Sequence, residues 1–343
     1  MTYHHNSQPA IVTRGLTRHF TSRKQTVEAV QGLDLEIGQG ELVAFLGPNG
    51  AGKSTTLRML TTLIPPTSGT ATVAGHDVVT AQRDVRRAIG YVGQGNGAGH
   101  QQRGRDELIS QGRAHGLSRR DAHRRAEELV ADLDLGAVAD RKVSTLSGGQ
   151  QRRLDIAMGL VHLPRVLFLD EPSTGLDPQN RANLQAIVQR LHAQTGSTIV
   201  LTTHYLEEAD AIADRVIVID HGLVIADDTA TRLKSGLGDL VRLGFGTSEA
   251  SATAAARAGR IPGARVDHDS SEVSIRVAGG SELVAELIGD LAAVGAPVAR
   301  VEVRRPTLDD VFLDLTGRSL REVAETPQTD TTPADGEKSE VAA

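Results

Sequence analysis

The chain has 343 residues, of which 39% are hydrophobic and 23% charged, so its length predicts about two domains with real cores. Its 37 basic and 43 acidic residues give a net charge of −6, which argues against a protein that mainly neutralises nucleic-acid phosphates. The absence of cysteine excludes disulfides, thiolate metal sites and cysteine nucleophiles. No apolar run reaches the ~18 residues of a membrane span, and the first residues lack the apolar core of a secretory signal. We therefore expect a soluble, cytoplasmic protein.

The chain begins with a polar stretch, residues 1–8, which we expect to be disordered. From Ala10 to about Leu233, short apolar runs follow turn signals and alternate with helical patterns. The runs are Leu42–Leu46, Val166–Leu169, Thr198–Thr202 and Val216–Ile219, and the helical patterns are Lys53–Leu63, Arg105–Gly116, Arg119–Leu133, Gln150–Val161 and Pro178–Ala193. Continuous apolar strands between helices predict an α/β fold with a doubly wound parallel sheet, over residues 9–235.

The pattern changes after Gly238. Strand and helix patterns over residues 239–303 follow the order βαββαβ, which predicts a small α+β domain of the ferredoxin-like kind. A last helix is predicted over Pro306–Gly317, and we assign residues 239–318 to this domain. Residues 319–343 are rich in Pro, Thr and acidic side chains and are expected to be disordered.

The strongest motif directly follows the apolar run Leu42–Leu46 and opens a helix. It comprises Gly47, Pro48, Asn49, Gly50, Ala51, Gly52, Lys53, Ser54 and Thr55, and it fits G-x-x-x-x-G-K-[ST]. Glycines let the main-chain amides wrap closely around a phosphate, and the helix N-terminus adds a partial positive charge. Lys53 is predicted to reach the β- and γ-phosphates and Ser54 to offer its hydroxyl to Mg²⁺.

Two acids end a second apolar strand. Asp170 and Glu171 follow Val166–Leu169, and burying adjacent carboxylates is costly without a cation. In a phosphate-loop protein, the first acid at such a strand end holds Mg²⁺ and the second orients or deprotonates the attacking water.

Three further elements complete the set. Ser147, Gly148, Gly149 and Gln150 precede a helix, where amides and a serine hydroxyl could face a γ-phosphate. Within one chain, this turn and the first loop cannot easily contact the same nucleotide, which suggests a dimer. Gln94 and His204 each follow a predicted strand, and both strands should end on the same edge of the sheet as Asp170.

Together these motifs resemble the ATP-binding subunits of ABC transporters over about Ile11–Leu233. The resemblance identifies Gly47–Thr55 as the Walker A loop, Leu146–Gln150 as the LSGGQ signature and Gly175–Asp177 as the D-loop. It implies that Asp170 is the Walker B aspartate, Glu171 the catalytic glutamate, His204 the switch histidine and Gln94 the Q-loop glutamine. It also implies that ATP is bound with Mg²⁺ between Ser54, Gln94 and Asp170, that Lys53 stabilises the γ-phosphoryl, and that Phe20 stacks on adenine.

The family further implies a head-to-tail dimer of two copies with two ATPs between them, driving a separate membrane subunit that docks near the Q-loop. Helices over about residues 100–160 are expected to form the inserted helical subdomain of such a cassette. The ending Pro306–Arg318 resembles drug-export subunits of the daunorubicin-resistance type, which pair with ABC-2-type permeases. We therefore expect ATP-driven export of a hydrophobic drug, with this subunit peripheral on the cytoplasmic face of the membrane.

One segment departs from that group. Gly93–Gln102 carries alternating glycines where the group has acidic and apolar residues. This segment is expected to contact the permease, so its composition bears on the identity of the partner and on coupling.

Two other functions would also use an ATP-binding cassette of this kind. A non-transport ABC ATPase acting on nucleic acid or the ribosome is disfavoured by the net charge, by the single set of motifs and by the absence of a long coiled-coil insertion. The C-terminal unit could instead sense a sugar or metabolite, as in some importers, but the ending Pro306–Arg318 favours the exporter group.

Overall fold

The computed structural model describes residues 8–22, 25–95, 97–99 and 101–319. Most of both predicted disordered ends, residues 1–7 and 320–343, lies outside these ranges. At their described borders, the Gln8 carbonyl accepts a hydrogen bond from Gln39 Nε2 (2.8 Å), and the Ser319 hydroxyl donates to the Asp309 carboxylate (3.0 Å).

The elements alternate along the chain as follows. The strands are β1 (Ile11–Ser22), β2 (Gln25–Ile37), β3 (Leu42–Leu46), β4 (Ser68–Val73), β5 (His76–Asp77), β6 (Ile89–Val92), β7 (Val166–Asp170), β8 (Thr198–Thr203), β9 (Arg215–Asp220), β10 (Leu223–Asp228), β11 (Asp239–Phe245), β12 (Arg265–His268), β13 (Glu272–Val277) and β14 (Val298–Arg304). The helices are α1 (Lys53–Leu60), α2 (Gln82–Ala88), α3 (Gly104–Ala114), α4 (Arg119–Asp132), α5 (Gly148–Leu160), α6 (Pro178–Thr195), α7 (Leu206–Ile212), α8 (Ala230–Ser235), α9 (Ser248–Ala258), α10 (Gly280–Ala293) and α11 (Leu308–Thr316).

A six-stranded sheet with the order β10-β9-β3-β8-β7-β6 forms the centre of the fold. The pairs from β9 to β6 are parallel, and β10 runs antiparallel at the edge. All four predicted apolar runs are strands of this sheet. Their continuous hydrophobicity follows from burial on both faces: Leu42, Ala44 and Leu46 of β3 pack in one core, whereas Val43 and Phe45 pack in the other.

A second, antiparallel sheet covers one face, with the order β2-β1-β4-β5. Its side chains share a core with α1 and with one face of the central sheet. The sequence reading did not identify these strands. The opposite face of the central sheet carries α3, α4, α5 and α6. The first three of these helices lie within residues 100–160, the range predicted for the inserted helical subdomain. Among the described residues, no helix combines the length and hydropathy that a membrane span requires.

The small unit, residues 239–304, has its own antiparallel sheet with the order β12-β13-β11-β14. Helices α9 and α10 cover one face of this sheet and enclose a separate core with it. The elements follow one another in the order βαββαβ. Its assignment to the ferredoxin-like class stays a prediction.

The last helix, α11, packs outside the core of the small unit. The sequence assigned this helix to the C-terminal domain, but Leu308, Val311 and Phe312 are buried in the core beneath the central sheet. The amphipathic pattern of α11 defines an apolar face but not the surface on which that face packs. The described C-terminal residues therefore return to the larger unit.

Candidate active site

The loop Gly47–Gly52 leaves the end of β3 at the carboxyl edge of the central sheet. A Cβ on Gly47 would lie 2.1 Å from the Ile219 carbonyl oxygen, and one on Gly52 would lie 2.4 Å from the Ala29 carbonyl oxygen. Gly52 also has a left-handed φ of 104° as it starts α1. Glycine is therefore required at both positions, because neighbouring main chain touches the loop directly.

Lys53 is buried inside this loop. Its Nζ donates to the carbonyl oxygens of Gly47 (2.8 Å) and Pro48 (2.9 Å) and lies 3.8 Å from Glu171 Oε1. Burial lowers the pKa of Lys53, and the carboxylates of Glu171 and Asp170 partly offset that effect. The ammonium group is thus preorganised at the loop, with carboxylates on its other side.

Asp170 ends β7 as a fully buried carboxylate. Its Oδ1 accepts hydrogen bonds from Ser54 Oγ and Thr202 Oγ1, both at 2.7 Å. Gln94 Nε2 lies 3.4 Å from Ser54 Oγ, and Tyr91 OH lies 3.5 Å from Asp170 Oδ2. Hydroxyl, carboxylate and amide oxygens are the ligands that Mg²⁺ prefers, so the residues that were predicted for the metal are adjacent and chemically suited to it.

Glu171 adopts a left-handed backbone conformation with φ 46°, which is uncommon for a residue with a side chain. Its amide donates to Thr202 Oγ1 (2.8 Å), and Oε2 accepts from Thr174 Oγ1 (3.2 Å). Burial raises the pKa of Glu171, but His204 and the Lys53 ammonium outweigh that effect, so the pKa lies below its ordinary value. The charges around Glu171 therefore favour the ionised form of the carboxylate beside the loop.

His204 follows β8 and faces Glu171, with 3.6 Å between Nδ1 and Oε1. The Tyr205 ring lies next to it, 4.2 Å between ring centroids, and the Arg181 guanidinium lies 3.8 Å from the Tyr205 centroid. A stacked cation and ring therefore support the imidazole from the side of α6.

The signature turn caps α5. Ser147 Oγ accepts from the Gln150 amide (3.4 Å), and Gln150 Oε1 accepts from the Ser147 amide (3.0 Å), which makes a capping box. Gly149 is buried against the start of α6, where a Cβ would lie 2.7 Å from Asn180 Oδ1, whereas Ser147 and Gly148 are exposed. The exposed part of the turn is available to another molecule.

Phe20 lies on β1 and pairs across the strands with Val27. Its side chain is 41% exposed, and the Arg18 guanidinium lies 4.6 Å from the ring centroid. The neighbouring strand β2 contacts the loop at Ala29, beside Gly52. An exposed ring on this strand pair is compatible with stacking on a base, and its role stays a prediction.

Sequence reasoning missed two residues that shape the site. Thr202 joins Asp170 to the Glu171 amide through a single hydroxyl. Arg152, buried in α5, donates to the carbonyl oxygens of Asp170 (3.0 Å), Pro172 (2.8 Å) and Gly93 (2.6 Å). Each left a faint signal: a hydroxyl ending an apolar strand, and an arginine two residues after the signature.

Comparisons with known proteins show the family of the chain. The family model described as "ABC transporter" matches residues 30–174. The daunorubicin/doxorubicin resistance ATP-binding protein DrrA of Streptomyces peucetius is 42% identical over 93% of this chain and 98% of its own. The doxorubicin resistance ATP-binding protein DrrA of Mycobacterium tuberculosis is 38% identical over 91% of this chain and 95% of its own.

Among solved structures, the dimeric post-hydrolysis state of the ATP-binding cassette MJ0796 bound to ADP and Pi aligns with a TM-score of 0.59 and 25% identity. It covers 64% of this chain and 98% of that one. The motifs, the geometry and these relatives lead to one assignment: the chain belongs to the ATP-binding proteins of the ABC transporter family.

Proposed function

We propose that this chain binds and hydrolyses ATP as the motor subunit of an exporter, acting at the cytoplasmic face of the membrane on a separate ABC-2-type permease. One observation carries the catalytic part: two groups of contacts meet at the carboxyl edge of the sheet. Glu171 contacts Lys53 and His204, and Ser54 donates to Asp170. The Thr202 hydroxyl joins the two groups, because it donates to Asp170 and accepts from the Glu171 amide. Ligands of open α/β sheets bind at this edge.

The hydrolytic step follows from these positions. A water attacks the γ-phosphorus, the bond from phosphorus to the bridging oxygen breaks, and ADP leaves. Glu171 accepts the water proton, while Lys53 and the loop amides stabilise charge on the phosphoryl oxygens. His204 brackets the γ-phosphate, and Ser54, Asp170 and Gln94 hold Mg²⁺, which neutralises phosphate charge when bound.

A second copy of the chain completes the site in this proposal. Ser147 and Gly148 are exposed at the start of α5, and the adjacent Gly149 packs against the start of α6. In a head-to-tail dimer the partner's signature turn covers the nucleotide held by Gly47–Thr55. The related cassette MJ0796 is itself dimeric.

The cargo is proposed from the relatives. Similar relatives carry names of daunorubicin, doxorubicin and linearmycin resistance proteins, and the chain covers 95–98% of the length of three of them. We propose a hydrophobic, antibiotic-like compound as the exported substrate.

The test is Glu171→Gln, which keeps the size of the side chain and removes the proton acceptor. We expect Mg-ATP binding to persist, turnover to fall by roughly 10²–10³-fold, and a dimer to accumulate in ATP by analytical ultracentrifugation. Glu249→Gln, an exposed position on α9, serves as the matched control. Turnover at the parent rate in Glu171→Gln would remove Glu171 from the reaction.

A further inference from the structure

A tight turn lies directly behind the phosphate loop. His221 and Gly222, both with positive φ (47° and 76°), connect β9 to β10. The Gly222 amide donates to the Ala51 carbonyl oxygen (2.9 Å), and the Gly222 carbonyl oxygen accepts from the Gln31 amide (2.9 Å). The turn therefore bonds to the main chain of the loop on one side and to β2 on the other.

Arg318 reaches this turn from the far end of the described chain. Its Nη2 donates to Asp220 Oδ2 (2.7 Å) and Oδ1 (2.8 Å) and to His221 Nε2 (2.8 Å). Because a guanidinium only donates, His221 must accept through Nε2 and carry its proton on Nδ1. Asp220 is 8% exposed, so Arg318 is the cation that compensates a buried carboxylate.

The backbone around Arg318 is fixed. Gly317 ends α11 in a left-handed conformation (φ 72°), and its amide bonds to the Leu313 carbonyl oxygen (2.8 Å). The Thr316 hydroxyl donates to the Arg318 carbonyl oxygen (3.1 Å), and Phe312 of the same helix is fully buried in the main core. The guanidinium is thus mounted on a rigid support.

A cleft of about 90 Å³ lies between the phosphate loop and the turn that Arg318 contacts. It is lined by Pro48, Asn49 and Gly50 of the loop and by Asp220, His221 and Arg318. The turn therefore has room to move if its cation is removed. The loop would lose the support that keeps its amides aimed at phosphate.

We propose that Arg318 is a positioning residue for the phosphate loop, acting through Asp220 and the turn behind Ala51. This inference rests on the proposed function, because it says that Arg318 raises the affinity of the proposed ATP site for Mg-ATP. Glu171 and His204, the residues proposed to act on the attacking water and the γ-phosphate, follow other strands, β7 and β8. We therefore expect the main effect on nucleotide binding.

The test compares Arg318→Ala with Arg265→Ala by calorimetric titration of the full chain with Mg-ATP. Arg265 also forms an ion pair with α11, at 2.9 Å from Asp314, but it is exposed and lies on β12 of the small unit. We expect the Kd of Arg318→Ala to rise about fivefold and that of Arg265→Ala to stay at the parent value. Arg318→Lys should restore most of the affinity, because all three contacts come from one nitrogen.

Asp220→Asn provides a second route, since it removes the charge at constant size and should also raise the Kd. It carries the test if Arg318→Ala does not fold. Equal Kd values for Arg318→Ala and Arg265→Ala, or an unchanged Kd in Asp220→Asn, overturn the inference while the proposed function stands. A parent chain that does not bind Mg-ATP overturns both.

Discussion

Lys53 and Glu171 each shift the pKa of the other in the direction that favours the charged form. The ammonium is buried in a loop of carbonyl oxygens, which lowers its pKa, and the nearby carboxylate opposes that shift. In return, the ammonium helps to hold the pKa of Glu171 low against the effect of burial. In the proposed function, Lys53 thus contacts the phosphates and also favours the ionised form of Glu171, the base.

Lys53→Ala tests the first of these roles. Charge-assisted hydrogen bonds contribute about 1.5–3 kcal/mol, so we expect Mg-ATP affinity to fall by about 10- to 100-fold in calorimetry. Lys234→Ala removes an ammonium that pairs with Asp210 on the α7 side and should bind as the parent does. Unchanged affinity in Lys53→Ala would place the phosphates elsewhere.

Residues that act through their own functional group could be predicted from sequence, because their spacing reflects the ligand. Lys53, Ser54, Asp170 and Glu171 are of this kind, and the structure brings them together. Thr202 and Arg152 act on atoms of distant segments, so the sequence around each of them gives only a weak signal. Their roles emerge only when the strands are aligned.

At the scale of elements, strand β6 and helix α5 approach each other through glycines. A Cβ on Gly90 would lie 2.2 Å from the Gly159 carbonyl oxygen and 3.0 Å from Leu167 Cδ1. The helix that begins with the signature turn therefore rests directly on the strand that leads to Gln94. Arg152 reinforces the same contact through the Gly93 carbonyl oxygen.

Gly90→Ala should separate this pair. The obstacle is main chain rather than a flexible side chain, so we expect the free energy of unfolding to fall by about 1–3 kcal/mol in urea denaturation. Gly246→Ala is the matched control, since its added Cβ meets no atom within 4 Å. Equal stability of the two variants would mean that β6 and α5 can move apart at little cost.

The central strands were predictable because burial on both faces produces uninterrupted apolar runs. Strands β1 and β2 were not, because their pairing has register shifts between Thr13 and Leu16 and again before Arg18 and His19. Each shift breaks the two-residue alternation that marks a half-buried strand. The long antiparallel pair therefore lacks a continuous pattern.

At the scale of the whole molecule, α11 connects the two units through Asp310. The helix is anchored beneath the central sheet, while Asp310 Oδ1 accepts from Arg276 of β13 (2.9 Å) and Arg304 of β14 (3.0 Å). Its Oδ2 accepts from the amide (2.9 Å) and hydroxyl (2.7 Å) of Thr307. A single buried carboxylate thus joins the small unit to the helix and caps that helix.

Asp310→Asn should weaken this connection. Losing hydrogen bonds to a charged group costs about 1–3 kcal/mol, so we expect the free energy of unfolding to fall by that amount at neutral pH in urea denaturation. Asp314→Asn, on the same helix, removes the exposed pair with Arg265 and should change stability by less than about 0.5 kcal/mol.

The pH dependence of Asp310→Asn separates the effect of the Asp310 charge from that of its hydrogen bonds. Burial raises the pKa of Asp310, but the Thr307 hydrogen bonds and the arginines outweigh it, so the pKa lies below the ordinary value of 3.8. A lowered carboxyl pKa stabilises the folded state above 3.8, and that contribution disappears as the pH falls toward the lowered value. The parent's advantage over Asp310→Asn should therefore be constant from about pH 7 to about pH 5 and shrink only at lower pH. A difference that does not depend on pH would show that Asp310 acts through the hydrogen bonds it accepts and not through its charge.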